Sequence, residues 1–255
     1  MRKIKLLLEF DGTSYQGWQI QKKGTTIQGI IEDRILGITG KKSWITGASR
    51  TDAGAHALGQ VATFRTESRL DVDVIKRALN ALLPKNIRVL EATEVADSFH
   101  QRYSAQKKSY FYIISNQKEY SAFLYRYTWI VPQLLDLKSM REAAQVLIGV
   151  HDFSSFMGTG SSTKNPVREI FVLTIEKLKK IDFMTAHIQG EFLKISIEAN
   201  GFLRHMARNI VGTLVEVGRG NIPSYQMREI LESHNRKSAG PTAPPNGLFL
   251  EKVLY

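Results

Sequence analysis

The 255-residue sequence contains no cysteine. That absence excludes a disulfide framework, a metal or iron–sulfur site held by thiolates, and a thiol nucleophile, and it fits a reducing compartment such as the cytoplasm. Long apolar runs are also missing, because none approaches the roughly 18 residues that a membrane-spanning helix requires. The N-terminal apolar stretch, residues 4–10, is interrupted by Lys5 and Glu9. We therefore expect a strand there and no signal peptide.

Low-complexity segments and acidic residues are scarce as well. Apolar residues make up 43% of the chain, which is too many for a disordered protein. The length allows one large or two small domains. The 35 Lys and Arg residues outnumber the 24 Asp and Glu residues, which gives a formal net charge of +11. This charge favours an anionic partner, with nucleic acid first, although many soluble proteins are basic without having one.

The surplus of positive charge lies mostly in the first half of the chain. Residues 1–130 have 20 basic and 12 acidic side chains, whereas residues 131–255 have 15 and 12. The basic residues are scattered along the sequence and form no tail-like block. Scattered charges can still converge on one face after folding, as a surface that follows a phosphate backbone requires.

Hydrophobic periodicity predicts the order strand, helix, strand, strand, helix, strand in the first half. The expected strands cover residues 3–10, 43–47, 59–65 and 87–94. Thr26 is the expected cap of the first helix, whose isoleucines recur at helical spacing. The second helix is expected to begin at Asp71 and to end before Pro84, which cannot continue it.

The second half repeats this order loosely. Its expected helices cover residues 136–148, 202–217 and 224–232. Its expected strands cover residues 108–115, 167–176, 182–189, 191–199 and 247–254, with a hairpin turn near Gly190. Two halves of similar order indicate an α+β fold of two duplicated halves, ferredoxin-like or RRM-like, that share a mainly antiparallel sheet. The small-residue loop at 158–166 is interpreted as an exposed turn rather than a mobile cover over a site.

The densest polar cluster, residues 46–57 (TGASRTDAGAHA), lies between two predicted strands. Arg50, Asp52 and His56 fall within seven residues, separated by small residues that let a backbone or a ligand approach closely. A salt bridge can hold an aspartate ionised, and an ionised carboxylate can act as a nucleophile or as an acid or base. Taken alone, the pattern favours a structural Arg–Asp pair beside a turn at Gly54, since an isolated R-x-D sequence is common.

The segment GASRTDAGAHALGQVATF resembles the active-site motif G-R-T-D-x-G-V-H-A of the TruA family of tRNA pseudouridine synthases. Further blocks resemble that family in the same order along nearly the whole chain. These blocks are FDGTSYQGWQIQ, NALLPKNI, SFHQRYSAQKKSYFYIISN, HDFSSF, GFLRHMARNIVGTLVEVG and GLFL. Separated blocks in one order are far more specific than a single motif.

The resemblance implies an enzyme that isomerises uridine to pseudouridine in the tRNA anticodon arm, at tRNA positions 38, 39 and 40, without a cofactor. The N-glycosidic bond breaks, the uracil rotates, and it rejoins the ribose through carbon 5. The family motif assigns the catalytic aspartate, the nucleophile, to Asp52. Attack on the sugar and a glycal intermediate are both open as its route. Arg50 is expected to pair with Asp52 and to help extrude the base.

The same resemblance assigns roles to three residues of the second half. Tyr110 is expected to pack on the uracil and is a candidate acceptor of the carbon-5 proton, Arg208 to pair with the catalytic aspartate, and Leu248 to line the pocket. Residue patterns alone leave these roles open. Tyr110 and Tyr112 share one side of a strand, and Arg208 lies at the margin of an apolar stripe, where it could equally face solvent. His56 is expected to be structural or to contact RNA rather than to catalyse.

The expected partner is the anticodon stem-loop of a tRNA, bound by a cytoplasmic homodimer. The N-terminal half, residues 1–104, would carry the aspartate loop, and residues 105–255 would complete an active-site cleft. Lys22, Lys23, Lys107 and Lys108 are candidate phosphate contacts, and Trp18 is either another RNA contact or a core residue. The six histidines show no metal-ligand spacing, so we predict no metal.

Four residues depart from the family pattern. Ser49 and Ala55 replace the usual Gly and Val of the motif, and Gln101 and Tyr103 replace the usual Ala and Phe of the F-H-x-R-[FY] block. These departures bear on the choice of target site more than on the chemistry. The alternatives are a paralogue acting at another RNA site, a non-catalytic RNA-binding protein on the same scaffold, and a basic metabolic enzyme with a phosphorylated substrate. The sequence has no Walker loop or dinucleotide-binding fingerprint, which argues against the last alternative.

Overall fold

The computed structural model describes residues 1–161 and 163–255. Ser162, which belongs to the predicted turn at 158–166, lies outside the described residues. The described chain is α+β, with five α-helices and strands whose pairing is mixed but mostly antiparallel. No described helix has the length and apolar content that crossing a membrane requires.

The strands and helices of the described residues follow one another in a single order along the chain. They are β1 (Arg2–Phe10), α1 (Ile27–Thr39), β2 (Thr46–Gly47), β3 (His56–Thr66), α2 (Val72–Leu82), β4 (Ile87–Val95), β5 (Lys107–Ser115), β6 (Trp129–Ile130), α3 (Leu137–Gln145), β7 (Gly149–Asp152), β8 (Val167–Phe183), β9 (Ala186–Ala199), α4 (Met206–Gly218), α5 (Gln226–Glu232) and β10 (Leu248–Leu254). The two short strands β6 and β7 were not expected from the sequence.

The chain divides into two compact units. The first comprises residues 1–108 and 249–255, and the second comprises residues 109–248. The last strand thus packs with the first unit, although the sequence analysis assigned it to the second half. The division at residue 104 and the duplication of the halves stay predictions.

The sheet of the first unit has the strand order β4-β1-β3-β10, and β2 pairs with β3 as well. β1 is antiparallel to β3 and β4, whereas β10 runs parallel to β3. The side chains of β1 alternate, with Ile4, Leu6 and Leu8 fully buried. Thr26 and Asp71 cap α1 and α2 as predicted, each accepting a hydrogen bond from a backbone N–H of the first turn.

The second unit contains the strand order β5-β9-β8-β7, with β6 parallel to β5. The predicted hairpin turn near Gly190 is wrong, because β8 and β9 turn at residues 184–185. Gly190 instead lies inside β9 at a bulge: Gln189 pairs with Lys180 and Phe192 with Leu178, so two residues of β9 face one of β8. A glycine in a strand interior signals a bulge as readily as a turn.

The helix α4 begins four residues later than predicted and is buried on almost every side. His205 precedes it with φ 58°, and the backbone N–H of Gly158 donates to the carbonyl of Arg204 at 2.8 Å. The Arg204 guanidinium donates in turn to the carbonyl of Thr159 at 2.9 Å. These bonds hold residues 202–205 outside the helix. The predicted helices at 136–148 and 224–232 are likewise shorter than expected, as α3 and α5.

A small-residue loop, residues 238–247, lies directly against α4. A Cβ placed on Gly212 of α4 would lie 1.8 Å from the carbonyl oxygen of Pro241, so only glycine allows this approach. The Asn209 side chain accepts from the Thr242 hydroxyl at 2.6 Å and from the Arg236 guanidinium at 3.0 Å. Backbone proximity and this buried polar network together fix the loop on the helix.

We predict that Gly212→Ala destabilises the protein by about 1–3 kcal/mol, because the added methyl group overlaps the Pro241 carbonyl. The measurement is the free energy of unfolding from urea titration. Gly37→Ala is the matched control, since Gly37 lies in α1 and the added Cβ would have no atom within 4 Å apart from its chain neighbours and the nearby backbone of its own helix. That control should raise stability by about 0.5–1 kcal/mol. Equal effects of the two substitutions would contradict the close approach.

Candidate active site

Asp52 begins a tight turn between β2 and β3. The backbone N–H of Ala55 donates to the carbonyl of Asp52 at 3.1 Å, and Gly54 has φ 79°. Gly54 is the third residue of this turn, and a positive φ at that position requires glycine or a similarly permissive residue. Asp52 is half-buried and Ala53 is exposed, so the carboxylate lies at the surface of the first unit on a short, defined turn.

The N-terminal FDGTSYQGW segment holds this turn through backbone bonds. The N–H of Trp18 donates to the carbonyl of Thr51 at 3.1 Å, and the N–H of Gly54 donates to that of Tyr15 at 3.2 Å. A Cβ on Gly17, whose φ is 82°, would lie 2.6 Å from the Thr51 carbonyl oxygen. Trp18 is only 1% exposed, so it is a core residue and not a surface for RNA.

His56 is part of the same support. It is buried, its Nδ1 accepts from the N–H of Gly12 at 3.1 Å, and the Asp11 carboxylate lies at the same distance from Nδ1. Its ring stacks on Phe249 with the centroids 4.6 Å apart. A Cβ on Gly12 would lie 1.8 Å from the carbonyl oxygen of Ala55. Of the two expected roles for His56, burial favours the structural one.

Side chains of β3 and β5 hold the other side of the turn. The fully buried Gln60 amide donates to the carbonyl of Ser49 at 2.7 Å and accepts from the Ser49 N–H at 3.2 Å. The Lys108 ammonium donates to the carbonyl of Ala48 at 2.6 Å. Gln60 was missed in the sequence analysis. A polar residue at a buried strand position was the available signal, since such a group requires partners.

The predicted phosphate contacts differ in their surroundings. Lys22 is exposed and Lys107 is half-buried, whereas Lys108 is only 7% exposed. The observed contact of Lys108 is with the loop that precedes Asp52. A contact of any of these lysines with RNA stays a prediction.

The expected ion pair between Arg50 and Asp52 is not formed within residues 1–161 and 163–255. Arg50 is exposed, whereas Asp52 is half-buried. An exposed ion pair gains little over two hydrated charges, so nothing holds the Arg50 side chain against Asp52.

In the second unit, Tyr110 and Tyr112 both point into the buried side of β5, as their spacing predicted. The two differ in their partners. Tyr110 meets Phe202 edge-on at a centroid distance of 4.8 Å. The Tyr112 hydroxyl donates to the carbonyl of Pro244 at 2.7 Å, and burial raises the pKa of this phenol well above its usual range, although the positive charge of Arg208 opposes the shift. Tyr112 therefore stays protonated, and its hydroxyl binds the loop of residues 238–247.

Arg208 is half-buried near the start of α4 and is fixed to the same loop. Its Nε donates to the carbonyl of Ala243 at 2.7 Å, and the Ala243 N–H donates to the carbonyl of Arg208 at 3.1 Å. Leu248, which follows the loop, is only 6% exposed. The Arg208 side chain is thus bound to the loop while part of it stays exposed. The Asn209 network that fixes the loop was missed, and the signal was an asparagine within an apolar helical stripe.

Within the described parts of the chain, no three His, Asp or Glu side chains are grouped so that they could hold a metal ion. The absence of a metal from the reaction stays an expectation from the sequence.

Comparison with known proteins gives one consistent result. A family model described as tRNA pseudouridine synthase matches residues 7–104 and 143–255. The tRNA pseudouridine synthase A of Thermodesulfovibrio yellowstonii is 46% identical over 255 residues, the full length of both chains. Proteins of the same name from Acetivibrio thermocellus and a Thermoanaerobacter species are 47% and 45% identical, again over the full length of both chains.

We predict that Lys108→Met lowers the free energy of unfolding by about 1–3 kcal/mol, because the buried Ala48 carbonyl loses its donor. Lys22→Met is the control and should change it by less than about 0.5 kcal/mol, since Lys22 is exposed. Urea titration of both variants measures the difference. Unchanged stability of Lys108→Met would mean that the contact with Ala48 does not support the loop.

Proposed function

The chain belongs to the tRNA pseudouridine synthase family, and from that premise we propose how its residues act on tRNA. The protein isomerises uridine to pseudouridine in tRNA. The observation that carries this conclusion is the full-length identity with the relatives, joined to an intact R-T-D sequence on a rigid turn.

We propose the anticodon arm as the target, at tRNA positions 38, 39 and 40. The similarity of the separated sequence blocks to the TruA family supports this choice. The departures at Ser49 and Ala55 do not oppose it, because both side chains are small and buried, so they fit the tight turn. Action at another RNA site and RNA binding without catalysis are the alternatives that the experiments below separate.

The reaction conserves every atom and electron of the substrate. The bond between ribose carbon 1′ and uracil N1 breaks, with its electron pair going to N1. After the uracil has rotated, carbon 5 bonds to carbon 1′, carbon 5 loses its proton, and N1 gains one. Because substrate and product are isomers, no oxidant, reductant or group donor takes part, and we propose that the enzyme needs no cofactor.

We propose that the Asp52 carboxylate acts at the ribose. In the nucleophilic route, its oxygen bonds to carbon 1′ as the uracil leaves, and it leaves in turn when carbon 5 attacks. In the glycal route, it removes the carbon-2′ proton and returns it later. Both routes need an ionised carboxylate at a fixed place. The bonds from Trp18, Gly54 and Ala55 to the surrounding backbone support that requirement.

The other assigned residues have complementary parts in this proposal. Arg50 helps to extrude the base, which costs a few kcal/mol of unstacking, and its exposure suits contact with RNA. Tyr110 packs on the uracil and accepts the carbon-5 proton, Arg208 stabilises the aspartate, and Leu248 shapes the apolar wall. Tyr112 is unsuited to the first role, because its hydroxyl is engaged with the Pro244 carbonyl.

We also propose that the protein is a cytoplasmic homodimer. A net charge of +11 on each copy would give a dimer a positive surface long enough to follow both the anticodon arm and the body of a tRNA. Light scattering of the purified protein with and without tRNA tests the dimer: the mass of one chain without tRNA, and of one chain plus one tRNA with it, would contradict it.

Asp52→Asn should abolish pseudouridine formation in unmodified tRNA transcripts, lowering the rate at least about 10³-fold, while tRNA still binds. The amide keeps the shape of the side chain and removes the reacting charge. Pseudouridine mapping measures conversion, and filter binding measures affinity. Asp33→Asn, an exposed acid on α1, is the matched control and should retain full activity.

Each outcome of that experiment separates two hypotheses. Conversion at no uridine by the wild-type protein would overturn the enzyme assignment in favour of RNA binding alone, and conversion only outside the anticodon arm would favour the paralogue. Full activity of Asp52→Asn would overturn the role of Asp52.

Binding of tRNA should weaken steeply with salt, because phosphate contacts release counterions. The expected slope of log Kd against log salt is about 0.7–0.9 per neutralised phosphate. Replacing Lys22 and Lys23 together by Gln should lower that slope by about 1.5, whereas Lys138→Gln on α3 should leave it unchanged. The same slope for the double variant as for wild type would remove these lysines from the contact surface.

A further inference from the structure

Residues 97–104 cross the face of the first unit's sheet that is opposite the apolar side chains of β1. Lys3 of β1 donates from Nζ to the carbonyl of Phe99 at 2.6 Å, and the Lys5 ammonium lies over the Phe99 ring at 5.9 Å from its centroid. Lys3 and Lys5 alternate along β1 with the buried Ile4 and Leu6, which places them on this opposite face.

Gln101 anchors the middle of this segment. The Thr63 hydroxyl donates to its side-chain oxygen at 2.8 Å, and the Tyr255 hydroxyl donates to its backbone carbonyl at 2.7 Å. Gln101 is only 3% exposed, so both bonds are shielded from water. An alanine here, as is usual in the family block, could not accept the bond from Thr63. The departure at Gln101 therefore adds an attachment of the segment to the sheet.

The turn that follows is closed by side-chain acceptors. Nδ1 of His100 accepts from the N–H groups of Arg102 and Tyr103, both at 3.1 Å. The Ser104 hydroxyl accepts from the N–H of His100 at 3.0 Å, and the Ser104 N–H donates back to the His100 carbonyl at 2.9 Å. Four bonds within five residues, together with the Gln101 anchor, define the backbone of this exposed turn.

On this fixed turn the Tyr103 ring is 79% exposed. It stacks against the His100 ring with the centroids 4.3 Å apart and the planes inclined by 34°. The Arg102 guanidinium lies 5.9 Å from the Tyr103 centroid. The acidic residue of the segment, Asp97, is paired with Arg65 at 3.0 Å, so its negative charge is compensated.

We propose that His100, Arg102 and Tyr103 form a stacking platform for one unpaired base of the RNA substrate, with Arg102 contacting the adjacent phosphate. This inference rests on the proposed action on tRNA and assigns part of its substrate recognition. A base stacks on an exposed aromatic ring, and an arginine beside that ring adds a phosphate contact. The platform is held before RNA arrives, so little conformational entropy is lost on binding.

Charge favours RNA over an apolar protein partner. The platform contains one guanidinium, the sequence around it (HQRYSAQKK) has three basic residues and no acid, and the whole chain is strongly positive. Stacking alone is tolerant of sequence, because every base has a π-face. A stacked unpaired base therefore selects a loop over a duplex.

Tyr103→Ala should raise the tRNA Kd and KM about 10-fold and leave kcat unchanged, because a ground-state contact is lost. Tyr103→Phe keeps the ring and should match wild type. Trp44→Ala is the matched control: Trp44 is also exposed, with the Lys42 ammonium 4.4 Å from its ring centroid, in the same unit. It should leave Kd and KM unchanged.

Salt dependence and abasic substrates separate the two parts of the platform. Arg102→Gln should reduce the slope of log Kd against log salt by about one, whereas Tyr103→Ala should leave the slope unchanged. tRNA transcripts carrying a single abasic site at each anticodon-loop position in turn then locate the stacked base. At one position, the abasic RNA should bind wild type and Tyr103→Ala equally. The RNA then lacks the base that stacks on Tyr103, so removing the ring has no further effect.

Two results would overturn the platform. The first is that Tyr103→Ala binds tRNA with the same Kd as wild type. The second is that Tyr103→Ala weakens the binding of every abasic RNA as much as it weakens the binding of intact tRNA. An equal effect of Trp44→Ala would also overturn it, because it would show general aromatic contact rather than a defined one. Binding is measured apart from conversion, so a protein that binds tRNA but converts no uridine would refute the proposed function and still test the platform.

Discussion

In the first unit, the position of the Asp52 carboxylate depends on the hydrogen bonds that fix the backbone of its turn. The turn is built from small residues, which cannot hold one another by side-chain packing. Its neighbours supply the support instead: the Trp18 backbone on one side, and the Gln60 amide with the Lys108 ammonium on the other. The absence of bulk lets the surrounding backbone come close, as at Gly12, and a closely held backbone positions a reacting carboxylate far better than a mobile loop does.

The second unit meets the same requirement by different means. Its small-residue loop is fixed to α4 by the Asn209 and Arg236 side chains and by the close approach at Gly212. The loop in turn accepts bonds from Tyr112 and Arg208. In both units, backbone groups of a segment without regular structure are bound to partners in neighbouring elements. Buried polar side chains perform this task, and the hydrogen bonds that they form offset the cost of burying them.

The features that the sequence analysis predicted correctly are local ones. Thr26 and Asp71 were identified as caps because capping depends on a side chain and the next few residues. The prediction of a turn at Gly190 was wrong because glycine is favoured both in turns and in bulges. Only the pairing with the partner strand distinguishes the two. Asp52 was proposed from a sequence motif, and its role stays a prediction. The attachment of Lys108 could not be predicted, since a sequence gives a charge but not its burial. Gln60 did give a signal, as a polar residue within an apolar strand, but the sequence does not reveal its partner Ser49 in the loop.

The return of the last strand to the first unit gives the chain an order of assembly. Phe249, which stacks on His56, and the residues of β10 that run beside β3 are synthesised only after the whole second unit. Domains generally fold as the chain emerges from the ribosome, N-terminal part first. Here the N-terminal part must wait for its final strand, so His56 lacks its ring partner throughout synthesis of residues 109–248. A nascent chain therefore does not complete the support of the Asp52 turn until translation has passed Phe249.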